Sequence, residues 1–354
     1  MMKSLMKSNL SGLALSVSAF FTLAVSSTVP HAAHASEFDE RWNAYVKDSG
    51  GRALQADCQP RRLSPRAGVP ARGAIILFHG FTACPQQFFE WSRQLTEAGF
   101  EVILPVLPGH GFPTPATGPL SKKTDYSQMP DLDHWKDYAA FTDRMIGLMQ
   151  AYPGSKQIGG FSLGGAVALL ASARAPQLFE RMILFSPFFQ ASGFLVRNFV
   201  LPLATTFHPN MEGGWGKDCY DGIQVGRAGV CDFQAKQVGA IQKFGRYVAK
   251  QAKPFGFPVQ VVGVENDSAA DDGITVEVLS ALKSGPIAGN AQVTACFAPS
   301  DVNHSILSRV DSVHPDHYWV KPITAQATRY VVEGIPFDTT GESAQKPYGL
   351  CRVR

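Results

Sequence analysis

The sequence predicts an α/β fold, a mostly parallel central sheet with helices on both faces. Three observations lead there. Short continuous apolar runs, such as Ala74 to Phe78, have the composition of strands buried on both sides. Segments with apolar residues at helical spacing alternate with those runs. At 354 residues and 45% hydrophobic content, the chain is long enough for a sizeable core.

Residues 1–35 read as a targeting segment ahead of the fold. Lys3 and Lys7 supply a positive start, Leu10 to Val25 form an apolar stretch salted with Ser, and Ala33-His34-Ala35 matches a small-x-small cleavage pattern. The stretch falls short of the ~20 apolar residues of a spanning helix. Cleavage is therefore expected, giving a mature chain of 36–354 that is secreted or periplasmic and holds no stable membrane anchor. The net charge of +3 leaves no basic footprint for nucleic acid; Arg61-Arg62 and Lys122-Lys123 read as solvated loop charges.

The elements then follow in order. Ala74 to Phe78 is a strand; Pro85 suits a helix start, and Phe88, Trp91 and Leu95 recur at helical spacing. Val102 to Leu104 is the next strand, ended by Pro105 and the turn Pro108-Gly109-His110-Gly111. A helix is expected from near Leu132 to Met149, a strand over Gln157 to Phe161, a helix over Gly164 to Ala173 and a strand over Met182 to Phe185. The alternation breaks between Pro187 and Pro258, a stretch rich in aromatics, Gly and Pro, too long for a plain connection and too apolar for a disordered linker. It resumes with a strand at Val259 to Val264, a helix near Val276 to Leu282, a strand at Gln292 to Phe297 and a helix at Thr324 to Glu333. One domain with a large insertion at about 187–257 is the simplest account.

Six cysteines in an exported chain point to disulfides. Cys219 and Cys231 are the favoured pair, since they bracket a Gly-rich loop with no core of its own. A bond from Cys84 to Cys296 is a weaker expectation. No Cys-x-x-Cys or His-Glu-x-x-His spacing occurs, so neither metal nor cofactor is implied, and the oligomeric state is not legible.

Gly160-Phe161-Ser162-Leu163-Gly164 lies between an apolar strand and an apolar helix. A chain turning that sharply holds its serine in a strained conformation with the hydroxyl projecting, so Ser162 is the candidate nucleophile. A serine hydroxyl needs a positioned base, and the base an orienting acid. His304, after the last strand, is preferred as base over His314 and His317, which lie farther along. Asp267, three residues past the Val259–Val264 strand, is preferred as acid over Glu265; Asp271 and Asp272 read as the start of the next helix.

These motifs, with His79-Gly80-Phe81-Thr82 and Pro108-Gly109-His110-Gly111, fall in an order that resembles the α/β-hydrolases over about Ala74 to Glu333. The combination looks most like their monoacylglycerol lipase, carboxylesterase and serine aminopeptidase branch. The resemblance implies an oxyanion hole from the backbone N–H groups of Phe81 and Leu163, with His79 bracing that loop. It also implies that the 187–257 insertion forms a cap; its Phe188, Phe189, Phe194 and Phe199 are expected either to line an apolar acyl site or to form the cap's own core. The expected function is serine-dependent cleavage of lipid or aromatic esters through an acyl-enzyme, taking a small-molecule ester as partner. A serine aminopeptidase of the same fold and a non-catalytic binding protein on this scaffold are the competing readings.

Overall fold

The computed structural model describes residues 31–50, 54–113, 126, 128–284, 292–310 and 317–338. The leader expected over residues 1–35 lies outside them as far as residue 30, as do Lys122, Lys123 and His314. Its last five residues open α1 (His31–Gly50).

The first strand, β1 (Arg61–Leu63), is antiparallel to its neighbour and sits at the sheet edge. Arg61 and Arg62 are thus strand residues rather than loop charges. Edge exposure keeps them solvated while their guanidinium groups lie over the rings of Phe89 and Phe38, and Arg62 pairs with Asp39 and Glu101. Next come β2 (Gly73–Phe78), α2 (Phe89–Glu97) and β3 (Phe100–Leu104). The chain continues through α3 (Asp137–Ala151), β4 (Lys156–Phe161), α4 (Leu163–Arg174) and β5 (Arg181–Phe185). The helix expected from Leu132 begins at Asp137 instead, because residues 131–136 form turns in which Asp131 accepts from the Asp133 and His134 backbone.

Between β5 and the next strand of the main sheet lie a π-helical turn (Val196–Val200), α5 (Leu201–Phe207), β6 (Glu212–Gly214), α6 (Lys217–Gln224), β7 (Asp232–Gln234) and α7 (Ala235–Ala249). β6 and β7 pair as a separate two-stranded ribbon. The main sheet closes with β8 (Val259–Val264), α8 (Asp272–Lys283), β9 (Val293–Ala298) and α9 (Val320–Glu333).

The seven strands run in the order β1-β3-β2-β4-β5-β8-β9, parallel from β3 onward. Helices cover both faces, which is why the inner strands are apolar throughout. One core cluster joins Ile76, Phe78 and Ile158 to α3, α4 and α7; the other joins Ile75, Leu77 and Val262 to α2 and α9. With both faces occupied, only the strand ends and the loops leaving them are open to a ligand. Among the described residues no helix is long and apolar enough to cross a membrane.

Between described residues two disulfides are formed, Cys58–Cys84 and Cys219–Cys231. The second is the expected pair. The first replaces the suggested Cys84–Cys296 bond: Cys84 meets the short helical turn at Ala56–Cys58, whereas Cys296 is buried within β9 and is disulfide-bonded elsewhere.

Candidate active site

Ser162 sits where β4 turns into α4, with φ 52° and ψ −119°. A non-glycine residue in that region is strained and must be held there. Its N–H donates to Phe185 O at 2.8 Å, and its carbonyl accepts from Phe188 N at 2.9 Å and Gly165 N at 2.9 Å. The turn also needs bare backbone beside it. A Cβ on Gly164 would stand 1.9 Å from Phe78 O, and one on Gly160 would stand 2.1 Å from Gly164 O. Neither can carry a side chain without opening the packing of β2, β4 and α4.

Asp267 and His304 arrive from the loops after β8 and β9. His304 Nε2 lies 3.0 Å from Ser162 Oγ, and its Nδ1 lies 2.6 Å from Asp267 Oδ2. The other carboxylate oxygen, Oδ1, accepts from Ala269 N at 2.8 Å and Ala270 N at 3.1 Å. Asp267 is only 4% exposed, and burial opposes its ionisation. The charge and hydrogen bond of His304, with the two backbone donors, outweigh burial and hold the carboxyl below its ordinary range. A carboxylate so fixed makes Nδ1 the donor and leaves Nε2 able to accept from the serine hydroxyl. The ring of Phe161 packs against His304, centroids 5.0 Å apart.

The rival residues are engaged elsewhere. Asp271 caps α8, accepting from Ile274 N at 2.9 Å, and pairs with Arg197. His317 packs on Trp319 with ring centroids 5.8 Å apart.

Phe81 lies in the loop after β2, and Leu163 opens α4. Neither backbone N–H donates to another protein group among the described residues. His79 is buried beneath the Phe81 loop. Its Nε2 accepts from Leu107 N at 2.9 Å, which obliges Nδ1 to carry the proton it donates to Gly80 O at 2.8 Å. Gln87, which the sequence did not single out, reaches back to accept from Gly80 N at 2.9 Å. Burial, and then the nearby His110, push the pKa of His79 well down. Burial also lowers that of His110, to about 4.

A cavity of about 230 Å³ opens over Ser162 and His304. Phe81, Phe161, Phe188 and Ile241 give it apolar walls; Gln87, Arg227, Ser268 and Asn303 are polar parts of its lining. A second cavity of about 290 Å³ lies between α1 and α3, but none of the candidate catalytic side chains lines it.

Of the four phenylalanines expected to line the site, only Phe188 does. Phe189 is fully buried in the core behind it, with its carbonyl 2.5 Å from where a Cβ on Gly245 of α7 would stand. Phe194 and Phe199 pack on each other, centroids 6.1 Å apart, and remain 62% and 54% exposed on the outer side of the insertion. Apolar composition told that they belong to the insertion but not which way its helical turn would face. Trp215, Cys219 and Arg227 also line the cavity, and sequence reasoning did not place them there: Trp215 and Arg227 lie in Gly-rich turns on either side of α6, which carries Cys219, and the path of those turns has no sequence periodicity.

The family described as alpha/beta hydrolase fold matches residues 73–213 of the chain. Over 113 residues the chain is 34% identical to a pimeloyl-(acyl-carrier protein) methyl ester esterase of Aromatoleum aromaticum, a match covering 32% of this chain and 36% of that protein. The match thus spans little more than a third of that relative. Among solved structures, a soluble variant of monoglyceride lipase from Saccharomyces cerevisiae superposes with a TM-score of 0.54 at 16% identity, covering 77% of this chain and 90% of that one. The monoacylglycerol lipase of Paleococcus ferrophilus does so with a TM-score of 0.53 at 16% identity, over 78% and 99%. At that identity the likeness is one of fold, and it agrees with the parallel sheet, the glycine-flanked serine turn and the order of the loops around it: the chain has the α/β-hydrolase fold.

Proposed function

We propose that this chain is an exported serine hydrolase that cleaves carboxylic esters through an acyl-enzyme on Ser162. What carries the reading is the unbroken run of hydrogen bonds from Ser162 Oγ through His304 to Asp267 at the foot of an apolar cavity. His304 Nε2 takes the hydroxyl proton as Oγ attacks the ester carbonyl carbon. The negative charge gathering on the carbonyl oxygen is met by the N–H groups of Phe81 and Leu163, each such donor being worth about 10²–10³ in rate. The proton then passes to the departing alcohol. Water, activated by the same imidazole, releases the acid and restores the serine.

The insertion between β5 and β8 acts as a cap in this reading, with Phe188 at the acyl end of the cavity. A volume of about 230 Å³ lies below the ~300–1,000 Å³ of ordinary ligand pockets. That favours a short or single-ring acyl group. Ester over peptide is favoured because no Asp or Glu lines the cavity among the described residues to receive a free α-ammonium group. The esterase and lipase names of the similar proteins point the same way. Export is supported by the two disulfides and by the leader-like residues 1–35.

The test is to assay the mature protein on nitrophenyl esters of graded acyl length beside aminoacyl anilides, with fluorophosphonate labelling mapped by mass spectrometry. Turnover best on short or aromatic esters, with the label on Ser162, is the expected result. Anilides preferred over esters would move the assignment to an aminopeptidase, and an unlabelled Ser162 would end the serine-hydrolase reading.

A further inference from the structure

The loop that carries Phe81 is held from above as well as from below. Thr82 follows it with φ 63°, a left-handed conformation that is costly for a β-branched residue and persists only where its surroundings impose it. Three hydrogen bonds do so. The Thr82 hydroxyl donates to Phe81 O at 2.6 Å and accepts from the indole Nε1 of Trp215 at 2.7 Å, while Thr82 O accepts from Val230 N at 2.9 Å. Trp215 and Val230 both belong to the insertion, 133 and 148 residues downstream of Thr82.

The same two strips of chain are tied at several further points. Gln86 Oε1 accepts from Ala228 N at 2.6 Å and its Nε2 donates to Gly226 O at 2.8 Å; Gln55 both donates to and accepts from the Gly229 backbone. Gly229 approaches so closely that a Cβ there would stand 2.4 Å from Thr82 O. On the insertion side, Trp215 N donates to Cys231 O at 3.1 Å, next to the Cys219–Cys231 bond. Phe233 fills the angle between the two, its ring 5.5 Å from that of Phe81 and 5.3 Å from that of Trp215. Trp215 itself also lines the cavity over Ser162 and stays 44% exposed, so a ligand bound over the serine lies against it.

We propose that Trp215 is a positioning residue: its indole N–H, through the Thr82 hydroxyl, sets the Phe81 backbone at the angle the oxyanion hole requires, so that the insertion holds the hole in shape. This rests on the serine-hydrolase reading of the site and adds to it a residue that touches no reacting atom. The chain of contacts runs from indole to hydroxyl to the Phe81 carbonyl, the peptide unit adjoining the N–H in question. Loosening it misaims a donor without removing one, so the effect falls on the transition state rather than on ground-state binding.

The experiment uses the full mature chain and four variants: Trp215→Phe, which keeps a ring and loses the N–H; Thr82→Val, which loses the hydroxyl; Thr82→Ser, which keeps it; and the Trp215→Phe/Thr82→Val pair. The expected result is a fall of about tenfold in kcat for Trp215→Phe, with KM within twofold of wild type and the melting temperature unchanged. Thr82→Ser should restore most of the kcat lost in Thr82→Val, and the pair should be no slower than Thr82→Val alone, since both changes break one link. An unchanged kcat in Trp215→Phe, a loss carried by KM alone, or losses that multiply in the pair would overturn the proposal. Should Trp215→Phe not fold, the Thr82→Val and Thr82→Ser comparison decides alone. A wild-type chain that neither turns over esters nor labels on Ser162 would instead count against the serine-hydrolase reading itself.

Discussion

Acidification should destabilise this protein through the buried histidines beneath the Phe81 loop. His110 is buried, its Nδ1–H held by Pro108 O at 2.9 Å, its ring 5.3 Å from that of His79. Burial lowers its pKa from 6.5 to about 4 in the folded chain. The unfolded chain therefore takes up a proton as pH falls through 6.5, while the folded chain does not until about 4. Over that window the unfolded state binds more protons, so stability is full above the window and falls as pH falls. A displacement of roughly 2.5 units corresponds to about 3 kcal/mol, a large share of the ~5–15 kcal/mol of a typical domain. His79, lowered by burial and by His110, acts in the same direction. The assay is urea unfolding at pH steps from 7.5 to 4, on wild type and on His110→Asn, whose amide still offers a donor toward Pro108 O. The variant should show a shallower loss, by about one proton's worth of slope. Equal losses in the two proteins between pH 6.5 and 4 would refute the linkage.

Three further outcomes follow from the same geometry. Ser162→Ala should lose on the order of 10⁶ in kcat while its thermal melt matches wild type, and residual turnover near the wild-type rate would remove Ser162 from the chemistry. Asp267→Asn should lower kcat on the order of 10⁴ by favouring the wrong imidazole tautomer. Because the folded-state pKa of Asp267 is depressed, the stability it contributes is present above the ordinary carboxylate range and lost below it; acid titration of Asp267→Asn should lack that low-pH loss. Replacing Cys219 and Cys231 with serine opens a loop of 12 residues and should cost about 3 kcal/mol in urea unfolding, and a variant as stable as wild type would show that the hydrogen bonds around Trp215 suffice without the bond.

What the sequence made legible was what local pattern can carry. Strands buried on both faces read as unbroken apolar runs, and Val259–Val264 was delimited to the residue. The serine turn was legible because glycines are compelled there by backbone contacts a few residues away, among them Gly164 against Phe78 O. Candidates for the base and acid followed from their place after two strands, and the structure brings those side chains together. Illegible were features fixed by distant partners. The edge strand β1 is three residues long, two of them arginines, and exists only because β3 pairs with it. Phe194 and Phe199 are as apolar as Phe188, yet only the packing of the insertion decides which of them faces the cavity. Cys84 finds Cys58 rather than Cys296 because the chain before β1 folds back beside the Phe81 loop.

The backbone carries its own record of where this fold spends stability. Five non-glycine residues have positive φ among those described, and four of them stand in loops just after the parallel strands: Thr82 after β2, Ser162 after β4, Ser186 after β5 and Asn266 after β8. Each such residue costs on the order of 1–3 kcal/mol. Strain spread by chance would fall equally on the opposite ends of those strands. Instead it gathers at the single edge where Ser162, the Phe81 loop and Asp267 meet, beside apolar clusters that hold the strands rigid. A sheet buried on both faces can sustain such turns because its strands cannot shift to relieve them, and the same rigidity keeps the hydroxyl and the imidazole 3.0 Å apart. The strain is thus tied to the site: relaxing any one of these turns should stabilise the chain and move a group on which the proposed chemistry depends.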